Sequence, residues 1–373
     1  MTSVTDPYEL KQRLHAAATR SIELGLNALL ITPGADLRYL TGYAAPDLER
    51  LTCLVVPALG KGDPYLVVPE LEADQAQASP LGRLDIQSVS YGETADPYAE
   101  IGRRIGAASG IGLANRMWAE KVLAFRAVFP KAELSLSDAI LGQLRIVKSQ
   151  AEIEALTQAG RAIDRVHARV PELLRAGRSE REVARDIAEA ILDTGHESVD
   201  FVIVGSGPNG ASPHHGYNDR ILEPGDQIVV DIGGTMPDGY CSDCTRTYSL
   251  GEPSEEFNRL YRVLYEAQEA ARVAVEQAVP FEQIDAAARD VISAAGYGEQ
   301  FLHRTGHGIG LETHEPPYVV EGNKELVRIG NTFSIEPGIY FSGRFGARIE
   351  DIVVATAEGA ESLNNQPREL VIV

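Results

Sequence analysis

Apolar residues recur at helical spacing over residues 7–26, and the run closes at ELGLN. That period predicts an amphipathic helix, and ALLITP (28–33) after it reads as a strand. CLVVPALGKGDPYLVVPELEAD (53–74) predicts strand, glycine-rich turn, strand and the start of a helix. GRRIGAASGIGLAN (102–115) and WAEKVLAFRAVFP (118–130) continue the alternation, so the first part of the chain reads as a compact α/β domain. The texture changes at LRIVKSQAEIEALTQAGRAIDRVHARVPELLRAG (144–177), which predicts one long amphipathic helix ending near Gly177. Ser149 and Glu152 have the spacing of a capping box at its start. A helix with Ser179 as N-cap and Gly195 as stop follows, and two more are predicted over 255–278 and 282–296. Strand-like runs lie at 199–205, 227–233, 243–249, 331–336 and 348–355. Helices and hairpins mix there without strict βαβ alternation, which argues for an α+β fold with an antiparallel sheet. The expected domains are residues 1–142 and 143–373.

Composition narrows the partners. The chain has 373 residues, 24% of them charged, and a formal net charge of -20. An acidic surface repels nucleic acid and anionic membranes, so neither is expected as a partner. No apolar run reaches the roughly 20 residues that span a bilayer, and MTSVTDPYELKQRLHAAATR lacks the apolar core of a signal peptide. Three cysteines give no disulfide framework. A cytoplasmic protein is the expectation.

The candidate chemistry lies in two late hairpins. In VVDIGGTMPDGYCSDCTRTY (229–248), Asp231 and Asp243 flank a turn centred near Pro237. In FSIEPGIYFSGRFGARIEDIVV (333–354), Glu336 and Glu350 flank a turn centred near Gly343. Residues equally distant from a turn are expected opposite each other on one face. Opposed like charges destabilise a sheet, and a divalent cation removes the conflict. Four carboxylates match the charge of two such ions. FLHRTGHGIGLETHEPP (301–317) offers a nitrogen ligand in His307, where Gly306 and Gly308 allow close approach.

Rival motifs are weaker. Cys241 and Cys244 form a C-x-x-C, yet no second Cys/His pair and no thioredoxin-like context accompany it. GSGPNG (205–210) matches a dinucleotide fingerprint, but Pro213 and HHGYN break the helix that such a site requires. His15, His167 and His196 stand outside every motif and read as surface or core residues.

With VVDIGG, SDCTRT, TGHGIGLETHE, SIEPGIY and RIEDIVV in this order, the chain resembles the pita-bread metallopeptidases. That family includes Xaa-Pro dipeptidase (prolidase), aminopeptidase P and methionine aminopeptidase, with creatinase as a metal-free relative. The resemblance is strong over about residues 145–373. The first domain and LRIVKSQAEIE are similar to the creatinase/prolidase type, which points to the proline-specific branch. It implies a curved antiparallel sheet covered by helices, a homodimer and a proline-containing peptide as substrate. The implied metal ligands are Asp231, Asp243, His307, Glu336 and Glu350. Two ions about 3.5–4 Å apart share a water and lower its pKa, and the resulting hydroxide attacks the peptide carbonyl. Glu336 is implied as general base. Oxygen-rich ligation with one imidazole favours Mn2+ or Co2+, with Zn2+ also compatible.

The resemblance also assigns charge stabilisation to His214, with His215 as the alternative one residue away, and a substrate-facing role to His314. His303 is a candidate pocket residue. Arg348 is expected on the face of Glu350, either binding a substrate carboxylate or buffering the ligand charges. Thr245 is a candidate support for a metal ligand, and Asp351 is expected to point away. Xaa-Pro dipeptidase is the expected activity and aminopeptidase P the alternative. A creatinase-like metal-free hydrolase and a non-catalytic binding module are the more distant rivals.

Overall fold

The computed structural model describes residues 3–373. The chain divides into two compact units, one ending at Arg145 and the other running from Ile146 to Val373.

The first unit opens with the helix Pro7–Glu23, whose N-cap Asp6 accepts the Tyr8 N–H while Pro7 fills the position that needs no donor. Its strands are β1 (Ala28–Ile31), β2 (Cys53–Pro57), β3 (Tyr65–Pro69), β4 (Gln87–Tyr91), β5 (Gly110–Leu113) and β6 (Glu133–Leu136). They form one mixed sheet in the order β4-β3-β2-β1-β5-β6. β1–β2 and β2–β3 are antiparallel and the other pairs parallel. β1, β2, β3 and β5 are buried along their whole length, as near-continuous apolar runs in a covered sheet should be.

The second unit carries the candidate chemistry. Its strands are β7 (Ser198–Ser206), β8 (Gln227–Thr235), β9 (Cys241–Ser249), β10 (Gly306–Gly308), β11 (Glu315–Val319), β12 (Thr332–Ile335), β13 (Gly338–Phe341), β14 (Phe345–Arg348), β15 (Asp351–Thr356), β16 (Gly359–Ser362) and β17 (Val371–Ile372). They make a four-stranded sheet β17-β9-β8-β7, a five-stranded sheet β11-β10-β12-β15-β16, and the ribbon β13-β14. All pairings are antiparallel except β17 on β9.

Helices bury one face of each large sheet. Helices Gln150–His167 and Glu180–Asp193 pack Ile163, Val166, Val183 and Ile187 against Val204, Val230 and Ile232. Helices Glu255–Val273 and Phe281–Ala294 pack Phe257, Leu264, Phe281 and Ile292 against Phe333, Ile335 and Val353. Each fully buried phenylalanine contributes about 1.5–3 kcal/mol of transfer free energy.

Both expected serine caps form, each as a complete capping box, Ser149 with Glu152 and Ser179 with Glu182. The long helix expected to reach Gly177 stops at His167, and a four-residue turn, Val170–Leu173, follows. Pro171 has no N–H for an intrahelical bond and its ring crowds the preceding turn, so the helix breaks just before it. The strand expected over 348–355 is also two pieces, β14 and β15, interrupted at Ile349 and Glu350. Among the described residues no helix is long and apolar enough to cross a membrane.

Candidate metal centre

β8 and β9 bring the two aspartates to one face. The register pairs Asp231 with Thr245 and Asp243 with Gly233. The aspartates are therefore diagonal neighbours, not directly opposed as the turn symmetry predicted. The loop Met236–Tyr240 is centred one residue later than Pro237, and Gly239 at φ 95 lets Met236 and Tyr240 close it. Moving the centre by one residue moves each partner by two, which keeps the side chains on the same face.

The glutamates behave differently. Ile335 pairs with Asp351 and Gly338 with Arg348, so the symmetry about Gly343 holds on both sides of them. Glu336 and Glu350 themselves fall in the gap between β12/β15 and β13/β14. Their amides are used elsewhere: Glu336 N–H donates to Thr305 O (2.8 Å) and Glu350 N–H to Thr245 O (3.1 Å). The break in the ladder is thus what ties Glu350 to β9.

His307 lies on β10 at a bulge. A Cβ at Gly306 would sit 1.9 Å from Ser334 O, and one at Gly308 2.3 Å from Pro316 O. Neither neighbour can carry a side chain, and this close packing fixes the imidazole. Its Nδ1 faces Gly308 O at 3.1 Å, and Nε2 faces Glu336 Oε1 at 3.1 Å and Asp243 Oδ2 at 3.7 Å. With Nδ1–H donating to the carbonyl, Nε2 presents a lone pair to carboxylate oxygens. Acceptors facing acceptors need a cation or a proton between them.

Three overlapping groups have all their ligating atoms within 4.8 Å: Asp231, Asp243 and Glu350; His307, Glu336 and Glu350; and Asp243, His307 and His314. The first two share Glu350 and together contain all five predicted ligands. Asp231 Oδ1 and Glu350 Oε1 are buried without a hydrogen-bond partner. Buried carboxylate oxygens left unpaired cost several kcal/mol, of the order expected for unsatisfied charged groups. Hard oxygen donors, mostly carboxylate, fit divalent cations, so these residues can hold a metal.

The electrostatics carry the same strain. Burial first, then the neighbouring carboxylates, push Asp243 and Glu350 well above the usual carboxylate range. Burial also raises Asp231, against the pull of Arg348. At Glu336 burial again opposes the charge, but His307, His303 and Arg348 outweigh it and hold the carboxyl below its usual range.

Arg348 is buried, and its guanidinium serves protein groups. Nη2 pairs with Asp231 Oδ2, Nε donates to Thr245 Oγ1 (3.0 Å), and Nη1 donates to Tyr340 Oη (2.8 Å) and Pro213 O (3.3 Å). Thr245 Oγ1 in turn donates to Glu350 Oε2 at 2.7 Å. Asp351 turns away to Arg246 and Gln268. His303 is held between Tyr340 Oη (3.0 Å) and Arg304 O (2.7 Å). His314 is exposed and lies over His307, ring centroids 3.8 Å apart. Partial desolvation of its ring where it lies against the cage, and then His307, push its pKa down to about 4. His214 is exposed, while His215 turns to Glu180 at 2.9 Å.

Three contributors escaped the sequence reading. Tyr340 joins His303 to Arg348. Arg304 stacks on Tyr318, 4.4 Å from its centroid, with Nη2 3.5 Å from His314 Nδ1. Glu180 holds the loop of His214. Arg304 sits three residues before His307, and only that adjacency could have singled it out. Cys241 and Cys244 are buried free thiols. GSGPNG forms a short 3-10 turn, Gly207–Ala211.

Residues 154–357 match the model of metallopeptidase family M24, and residues 13–147 that of the creatinase/prolidase N-terminal domain. The chain is 51% identical to the "Probable dipeptidase PepE" of Mycobacterium tuberculosis over 363 residues, covering 97% of this chain and 96% of that protein. It is 34% identical to the Xaa-Pro dipeptidase of Lactobacillus delbrueckii subsp. lactis over 360 residues, covering 94% and 96%. The crystal structure of dipeptidase PepE from Mycobacterium ulcerans superposes with a TM-score of 0.94 at 51% identity, covering 99% of each chain.

Proposed function

The chain belongs to metallopeptidase family M24, and from that premise we propose that it is an Xaa-Pro dipeptidase using two divalent cations. Asp231, Asp243, His307, Glu336 and Glu350 would hold them. The observation that carries this reading is the shared cage of four carboxylates and one imidazole, with Asp231 Oδ1 and Glu350 Oε1 left without protein partners. Such a donor set favours Mn2+ or Co2+. When bound, the ions supply Lewis acidity, lowering the pKa of a water and polarising the peptide carbonyl.

The chain's own groups do the rest. Glu336, kept ionised by His307, is the carboxylate that takes the proton of the attacking water. Ser334 Oγ, 3.0 Å from Glu336 Oε1, fixes its orientation. His314 is neutral at pH 7, so its imidazole donates a hydrogen bond to the substrate without carrying charge into the cage. His214 donates to the oxygen on which negative charge develops. Arg348 balances Asp231. Its buried, fully engaged guanidinium supports the charge-buffering role over substrate binding.

Arg304 supports the dipeptidase reading over aminopeptidase P. Its guanidinium is partly exposed beside His314, where it can pair with the free C-terminal carboxylate of a two-residue substrate. Side-by-side assay of Xaa-Pro dipeptides, Xaa-Pro-Yaa tripeptides and longer peptides tests this. Dipeptides should dominate, and Arg304→Ala should raise their KM about tenfold or more with kcat little changed. Equal or better turnover of longer peptides would assign the chain to the aminopeptidase branch.

A further inference from the structure

We propose that Glu180 is a positioning residue for the peptidase site: it anchors the loop 206–218 and, through His215, sets the direction of His214. The inference rests on the function proposed above. Glu180 is the first residue of the helix Glu180–Asp193, and it is fully buried. Capping does not explain it, because Ser179 and Glu182 already close that helix end. The carboxylate instead receives six hydrogen bonds from four residues of the loop, Ser206, Asn209, His215 and Asn218. Oε1 accepts from Ser206 N–H (2.8 Å), Ser206 Oγ (2.7 Å) and Asn209 Nδ2 (3.0 Å). Oε2 accepts from Asn209 Nδ2 (3.1 Å), His215 Nε2 (2.9 Å) and Asn218 N–H (3.1 Å). A buried carboxylate is tolerated only with such saturation, and here all of it comes from the segment that carries His214.

The loop is held from its other side as well. Arg348 Nη1 donates to Pro213 O, and Gly210 O lies so close to β14 that a Cβ on Gly346 would be 2.1 Å away. His215 N–H closes a turn onto Ser212 O (3.0 Å). Clamped between Glu180 and β14, the turn points the two histidines apart. His215 faces the helix. His214 stays exposed beside Pro213, whose carbonyl Arg348 holds. The engagement of His215 with Glu180 supports His214 as the substrate-facing member of the pair that the sequence left open.

The test uses full-length metal-loaded protein with Glu180→Gln, His214→Ala, the Glu180→Gln/His214→Ala pair, His215→Ala and His215→Gln. Glutamine at 180 must present an amide N–H to one cluster of donors, so the loop loosens. Glu180→Gln should lower kcat on Xaa-Pro dipeptides about ten- to a hundredfold, with KM and bound metal near wild type. If Glu180 acts through His214, the double variant should be no slower than His214→Ala alone. Glutamine at 215 places an amide nitrogen near the His215 Nε2 position, so His215→Gln should recover most of the kcat lost in His215→Ala. Amide hydrogen exchange of metal-free protein gives a readout independent of activity. Ser206 and Asn218 N–H should exchange faster in Glu180→Gln while the helices retain their protection. An additional kcat loss in the His214→Ala background, or unchanged exchange at Ser206 and Asn218, overturns the proposal. Should Glu180→Gln fail to fold, the two His215 variants decide the matter. A wild-type chain inactive on every peptide would sink the proposed function and the catalytic part of this inference together. The exchange data would then still decide the anchoring.

Discussion

Replacing Thr245 with valine removes one hydroxyl from the centre of the cage while almost preserving shape. The residue is fully buried on β9. Its Oγ1 donates to Glu350 Oε2 at 2.7 Å and accepts from Arg348 Nε at 3.0 Å. Glu350 Oε1 already lacks a partner, so the variant leaves that carboxylate without any side-chain donor. A hydrogen bond to a charged group is worth about 1.5–3 kcal/mol, and two are lost. The simple sum is about 3–6 kcal/mol, and relaxation around Arg348 brings the expected destabilisation to the lower end. Thr245 O still receives Glu350 N–H and Arg246 Nη1, so the backbone tie between β9 and the break at Glu350 survives. The metal should feel the change too, since groups that orient ligands typically set affinity by about ten- to a hundredfold. Urea unfolding of metal-free protein and calorimetric titration with Mn2+ measure the two effects separately. Thr245→Ser is the control, because it keeps the hydroxyl and gives up only a methyl, worth about 1 kcal/mol. If Thr245→Val is no less stable than Thr245→Ser and binds Mn2+ as wild type does, the hydroxyl orients nothing and the reasoning fails.

Three further outcomes are expected. Asp243→Ala should lose at least one of the two proposed ions by elemental analysis and abolish peptidase activity, and full activity with unchanged metal content would remove Asp243 from the proposed ligand set. His214→Ala should keep both ions and lose about 10²–10³ in kcat, the usual effect of deleting one donor to a developing charge. A third concerns acid stability. Burial first, and Arg246 second, push the pKa of His167 down to about 3, where its ring sits between Tyr248 Oη and Cys244 O, each at 2.9 Å. The unfolded chain protonates near pH 6.5 and the folded chain does not, so stability is complete above 6.5 and falls by about 1.4 kcal/mol per pH unit down to the folded value. His167→Gln, unable to titrate, should show a shallower loss between pH 6.5 and 4 in urea unfolding. Parallel pH profiles for the two proteins would contradict the assignment.

Much of the fold was legible because its signals are local. Continuous β-branched apolar runs such as the one leading into Asp231, serine caps three residues before a glutamate, and glycine stops are each decided by a few neighbouring residues. The errors arose where one residue overruled a longer pattern. Pro171 cut a helix whose apolar period continued past it. The break at Ile349–Glu350 left no mark on an otherwise strand-like run, because its cause is a hydrogen bond to Thr245, about a hundred residues away in the chain.

The candidate site was legible for a related reason. The pairing of Asp231 with Asp243 was predicted one turn position off, yet both still reach the same group of ligating atoms. A turn displaced by one residue changes the partner by two, and side chains alternate with a period of two, so the face is conserved. Face assignment is therefore more robust than register, and a face is all that a carboxylate needs to reach a shared centre. Arg348, Thr245 and Glu180 follow no such rule. What each does depends on which partner the tertiary fold brings to it: Asp231, Glu350 or the loop of His215. An arginine two residues before a glutamate can serve a substrate or a neighbour equally well. An acid at the first position of a helix reads as an ordinary partner for the helix dipole. Only the packed neighbours separate these readings, so a single sequence can name Thr245 and Arg348 as candidates without fixing their partners, and gives no sign of Glu180, while the candidate ligands stand out by their shared face.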